Sequence, residues 1–115
     1  MERYCIRQGY TIKEAIESID RNKDRVAIVV NADSKVIGVV SQGDIIRALT
    51  SGKSLYARVE SIIRSDFLYL NSRDMREAYR LFRKLKISLL PVVDENFGLV
   101  DVIVLDDIYQ YLEEK

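Results

Sequence analysis

Shifted against itself by 63 positions, this chain aligns its two halves without a gap. Glu14 and Ala15 fall on Glu77 and Ala78, and Lys23 falls on Lys86. Val29 and Val30 meet Val92 and Val93, Val39 meets Val102, Asp44 and Ile45 meet Asp107 and Ile108, and Leu49 meets Leu112. The apolar pattern holds even where identity fails, as at Ile12/Met75, Ile16/Tyr79, Ile19/Phe82 and Val36/Leu99. A fixed internal period means one supersecondary unit built twice.

Each copy reads the same way. Apolar residues at 12, 15, 16 and 19 have helical spacing. Thr11 and Glu14 stand at capping-box distance, and Asp74 and Glu77 repeat that spacing with a carboxylate cap. The runs VAIVV and LLPVV are short, continuous and rich in β-branched residues, which suits strands buried on both faces. NADSK and DENFG read as turns; VIGVV and LVDVIV read as second strands. GDIIRAL and DDIYQYL open closing helices with an acid in the first turn, where the helix dipole favours it. TSGKSLYAR connects the copies, VESII adds a short helical turn, and the strand-like FLYL opens the second half. Each copy is therefore helix–strand–strand–helix with a short extended segment in front. A unit of about 55 residues has too little core to stand comfortably alone. Two such units, at 1–57 and 58–115, packed sheet against sheet about a pseudo-two-fold axis, give one α/β (α+β) module.

Composition narrows the function. The chain has no histidine, which removes the commonest general base and zinc ligand. A single cysteine, Cys5, allows neither an intrachain disulfide nor a CxxC metal site, and in RYCI it reads as a buried small hydrophobe. Lys plus Arg is 18 and Asp plus Glu is 18, a balance unlike that of domains that neutralise a nucleic-acid backbone. The basic run Arg73, Arg76, Arg80, Arg83, Lys84 and Lys86 accordingly reads as a solvated face. The apolar runs are far shorter than the roughly 20 residues of a membrane span. No basic segment followed by an apolar one opens the chain, so a cytoplasmic location is expected. No nucleophile–base pair of the kind catalysis needs is visible, so the chain is not expected to be an enzyme.

The layout, with GVVSQGDI at Gly38–Ile45, resembles a tandem pair of CBS domains (named for cystathionine β-synthase). The resemblance rests on the Glu-Ala pair of the first helix, on strands of the PVVD type (Ala27–Asn31 and Leu90–Asp94), and on Gly38, Ser41 and Asp44 in the pattern Gly-hydrophobic-hydrophobic-Ser-x-x-Asp. It covers nearly the whole chain. It implies a regulatory, allosteric module that binds an adenine nucleotide such as AMP, ADP or ATP between the copies, with no catalytic cofactor and no metal. By that resemblance Asp44 grips the ribose diol, Ser41 donates to a phosphate or sugar oxygen, and Arg47 reaches a phosphate. The base is expected beside Ile6 and the segment Asp24, Arg25 and Ala27, with a second base slot at Tyr69, Ser88, Leu90 and Pro91.

The second copy departs from the pattern. Asp107 is present, but Val104 replaces Ser41, Asp101 replaces Gly38, Gln110 replaces Arg47, and Asp106 adds a repelling charge. Unequal sites are expected. Ser41 and Asp44 also read as a plain helix cap, as does Asp107. Arg47 also reads as a surface residue, and the tyrosines as packing rather than base-stacking groups.

A narrower likeness, GDI-R-AL-x-x-G-x-x-L at Gly43–Leu55, is to the CBS pair ahead of some sugar-phosphate nucleotidyltransferases. It implies a fused or partner catalytic domain. The family's habit of pairing through helices implies a homodimer, with Ile108, Tyr109, Tyr111 and Leu112 as interface residues. The alternatives are a ligand-free dimerisation or protein-interaction module and, more remotely, a nucleic-acid accessory protein.

Overall fold

The structure, a computed structural model, describes Met1–Glu114; Lys115, the end of the second expected unit, lies outside the described residues. A 3₁₀ turn at Glu2–Tyr4 leads into β1 (Cys5–Arg7), followed by α1 (Ile12–Asn22), β2 (Val26–Val30), β3 (Val36–Ser41) and α2 (Gln42–Thr50). After a 3₁₀ turn at Val59–Ser61 come α3 (Met75–Leu85), β4 (Leu89–Val93), β5 (Leu99–Val104) and α4 (Leu105–Glu113).

The helix boundaries follow local chemistry. Thr11 and Glu14 form a reciprocal capping box on α1, and Asp74 accepts the Glu77 N–H at the start of α3. Both helices end in a left-handed residue, Lys23 (φ 62°) and Lys86 (φ 53°), the same position in the two copies. The strand pairs also repeat. In β2–β3 Val26 faces Ser41 and Val29 faces Gly38; in β4–β5 Leu89 faces Val104 and Val92 faces Asp101. Each ladder slips at the same point, between Val29 and Val30 and between Val92 and Val93.

The front strands are less alike. β1 pairs in parallel with β2, Ile6 opposite Val29. In the second copy the FLYL segment makes a single parallel bridge, Leu70 to Val92. The counterpart of Ile6 is therefore Leu70, one residue beyond the 63-residue repeat. Side chains alternate along an extended segment, so this offset turns Tyr69 to the other face. There its ring lies 5.5 Å from Phe67 and 5.1 Å from Phe97.

Among the described residues three apolar clusters hold the fold. One joins Ile6, Ile12, Ile19, Ala27 and Val40 behind the first sheet. Another joins Ala78, Phe82, Leu90, Ile103 and Ile108 behind the second. The third lies between the sheets and draws on both copies, with Ile28 and Val36 against Leu89, Val93, Val102 and Val104. Sheet-on-sheet packing explains why every residue of β4 is buried. At one edge Lys35 pairs with Gly98, the same position in the two copies, as a two-fold relation requires. Among the described residues no helix is long and apolar enough to cross a membrane.

Candidate functional site: a cleft shared by the two copies

Ser41 ends β3 and caps α2. Its Oγ accepts the Asp44 N–H at 3.1 Å, and Asp44 Oδ2 accepts the Ser41 N–H at 2.9 Å. This box fixes one carboxylate at a helix start. The other oxygen, Oδ1, accepts from Arg47 Nη2 at 2.7 Å and lies 3.5 Å from Arg64 Nη1. The Asp44 side chain is 9% exposed, while those of Arg47 and Arg64 are 68% and 59% exposed. The acid is anchored, and both arginines approach it from solvent. Burial works against ionisation of Asp44. The Ser41 N–H and side chain, the Arg47 guanidinium and the Arg64 charge outweigh it and hold the carboxyl below its usual range.

Asp44 opens on a cleft of about 540 Å³. The first copy supplies Arg25, Ser41 and Gly43; the linker that follows the Val59–Ser61 turn supplies Arg64 and Asp66 and, from the FLYL segment, Phe67; the second copy supplies Lys86, Ile87, Ser88 and Pro91. Gly43 lets the Arg47 side chain lie over the helix start, since a Cβ there would sit 3.2 Å from Arg47 Nη1. The cleft thus joins a fixed carboxylate, solvent-exposed cations and the apolar side chains of Phe67, Ile87 and Pro91.

Arg25 reaches the cleft because Asn22 holds its loop. Asn22 is 1% exposed; its Nδ2 donates to Val26 O at 2.9 Å, and its Oδ1 accepts the Asp24 N–H at 2.8 Å. Arg25 itself takes a left-handed backbone (φ 67°), and its carbonyl accepts the Gln42 N–H at 2.9 Å. Ser88 Oγ donates to Asp24 O at 2.7 Å, tying the second copy to the same loop.

Of the residues expected at a site, the structure gathers Arg25, Ser41, Asp44, Ser88 and Pro91 into this one cleft, with Arg47 on Asp44. The acid end of the first copy shares this cleft with Ser88 and Pro91 of the second. Packing sheet on sheet crosses the two. Ile6, Ala27 and Leu90 are interior residues of the clusters behind the sheets, at 4%, 0% and 0% exposure. Asp24 meets the second copy through its carbonyl, and Tyr69 sits with Phe67 and Phe97. Asp107 starts α4, accepting the Val104 N–H at 2.9 Å and facing Arg73 at 3.3 Å. Sequence reasoning missed Asn22, Arg64, Phe67 and Lys86. Asn22 carried a signal: the last turn of a helix holds an amide where the second copy has the exposed Leu85.

The CBS domain model matches residues 2–51 and again 59–114. The chain is 30% identical over 97% of its length to the magnesium transporter MgtE of Thermus thermophilus, and 32% identical over 87% to the arabinose 5-phosphate isomerase GutQ of Escherichia coli K12. It spans 25% and 32% of those proteins. Among solved structures it resembles a CBS domain protein from Pyrobaculum aerophilum complexed with AMP (TM-score 0.76, 24% identity, covering 96% of this chain and 91% of that one). It also resembles the cytosolic domain of the Mg2+ channel MgtE in complex with ATP (TM-score 0.74, 27% identity, 95% and 45% covered). With its internal repeat, its matching ladders and a family match over both halves, the chain belongs to the CBS domain family, as a tandem pair.

Proposed function

We propose that this CBS pair binds an adenine nucleotide in the shared cleft and passes the ligand state to an attached or partner domain. The observation that carries the reading is Asp44, buried and fixed by its capping box, yet paired with two arginines whose side chains are largely exposed. A ribose diol offers two hydroxyl donors to that carboxylate. The displaced Arg47 and Arg64 then meet the phosphate, with Arg25 and Lys86 also lining the cleft. The base enters the slot at Phe67, Ile87 and Pro91. Neighbours solved with AMP and with ATP support this ligand class.

Because the cleft has walls from both copies, a ligand there binds one arrangement of the copies better than another, and that difference does the signalling. The sequence motif points to a sugar-phosphate nucleotidyltransferase as the controlled domain. The transporter and isomerase relatives support the broader reading of a module serving a larger protein. Thermal melting with AMP, ADP and ATP tests the proposal. At least one should raise the midpoint by mass action, and Asp44→Ala should remove the rise. No rise with any of the three overturns the reading.

A second reading, a ligand-free homodimerisation module, has its own observation. Leu105, Tyr109 and Leu112 form an exposed apolar stripe at i, i+4 and i+7 along α4. Ile108, also expected in the interface, is buried. Sedimentation of the protein without nucleotide distinguishes the two: a dimer that no nucleotide perturbs or stabilises favours the second.

A further inference from the structure

The second copy carries the same helix-start carboxylate, Asp107, in a different electrical setting, and the difference begins at the edge of the sheet. In the first copy the linker lies along β3. The Arg64 N–H donates to Val39 O at 2.9 Å, and the Val39 N–H donates to Arg64 O at 3.3 Å. Val102 is the counterpart of Val39, and there side chains take both roles. Its N–H donates to Asp101 Oδ1 at 2.8 Å, and its carbonyl accepts from Arg73 Nη1 at 3.4 Å. The same Nη1 donates to Asp101 Oδ2 at 2.9 Å, while Nη2 lies 3.3 Å from Asp107 Oδ1. Asp101, standing where the first copy has Gly38, therefore holds the arginine that holds Asp107.

This changes what a nucleotide would meet. At Asp44 two guanidiniums serve one carboxylate, with Arg25 and Lys86 nearby against Asp66. At Asp107 one guanidinium serves two carboxylates, and Asp106 stands beside them holding the Gln110 amide at 3.3 Å. If a sugar displaced Arg73 from Asp107, Arg73 would stay neutralised by Asp101, and a phosphate would face the Asp101, Asp106 and Asp107 carboxylates with Arg3, 5.0 Å from the Tyr4 ring, as the further cation. Val104 brings no hydroxyl to the helix start. Tyr4, in the register position of Leu68, packs on the apolar cluster between the sheets. Burial, Asp24 and, more weakly, Asp107 push its phenol up, against the opposing pull of Arg3.

We infer that the chain takes one nucleotide, at Asp44, and that the Arg73–Asp101 pair is the determinant that refuses a second at Asp107. The inference rests on the nucleotide reading above. Isothermal titration of the protein with AMP and with ATP tests it. One binding event per chain is expected. Asp44→Ala should weaken it by about tenfold or more, the loss of a charged hydrogen-bond partner. Asp107→Asn should leave the affinity within about twofold, because Asp107 takes no part in that event. Asp101→Gly should release Arg73 and add a second, weaker event. Two events in the unaltered protein, or a loss on Asp107→Asn comparable to that on Asp44→Ala, overturns the inference while leaving nucleotide binding intact. Titrations without heat or midpoint change for either nucleotide overturn the nucleotide reading itself, and this inference with it.

Discussion

The Cβ that Gly38 lacks would sit 2.9 Å from the carbonyl oxygen of Arg64. Linker and strand approach this closely because position 38 has no side chain, and the Ile63 side chain packs over the same spot at 3.1 Å. Gly38→Ala should therefore destabilise the protein by about 1–3 kcal/mol, the usual cost of overpacking. It should also weaken nucleotide binding, because Arg64 and Phe67 belong to the displaced segment. Chemical denaturation reads the first effect and calorimetry the second. Asp101→Ala, at the same position of the other copy, should leave binding at Asp44 in place.

Asp44 gives the acid side of the stability curve a recognisable shape. Its folded pKa lies below the unfolded value of about 3.9, so the unfolded chain takes up its proton first as pH falls. The stabilisation is complete above the unfolded pKa and disappears as pH drops through the folded one. Asp44→Asn should flatten that limb while costing about 0.5–2 kcal/mol near neutrality, the range for a lost cap. Urea unfolding at several pH values between about 2 and 6 makes the comparison.

Asn22 should be as sensitive as a core residue. Asn22→Ala leaves Val26 O and the Asp24 N–H without this partner in a half-buried setting, a cost of about 1 kcal/mol or more. It also frees the loop that presents Arg25, so nucleotide affinity should fall even where the protein remains folded. Melting and titration of the same variant separate the two effects.

The pairing of Asp44 with Arg47 and Arg64 makes sugar and phosphate interdependent. Adenosine must displace both arginines and give them nothing in return. Inorganic phosphate meets arginines already satisfied by the carboxylate. AMP exchanges partners on both sides at once. Its binding free energy should exceed the sum for adenosine and phosphate measured separately, and 2′-deoxy-AMP should fall toward the adenosine value. Competition titrations measure all four.

The elements were legible because their causes are local. Thr11 with Glu14, Ser41 with Asp44, and the two β-branched runs carry their own signals, and the repeat doubled each one. The composition of the cleft was not. The acid motif of the first copy and the Ser88–Pro91 segment of the second lie far apart in sequence, and only sheet-on-sheet packing brings them into one cleft. The one-residue offset between Ile6 and Leu70 was hidden as well, since a single parallel bridge leaves almost no pattern in four apolar residues. Arg64 lies in a segment with no counterpart motif, so nothing in the repeat marked it.

Between Arg64, paired with β3, and Leu70, paired with β4, the chain runs only six residues, at most about 20 Å when fully stretched. That short tether has its ends sewn to different sheets and has little slack. The halves cannot drift apart or trade places while both seams hold. A molecule entering the cleft would be left only a small rocking of one half on the other to drive, and would meet the tether itself through Arg64, Asp66 and Phe67.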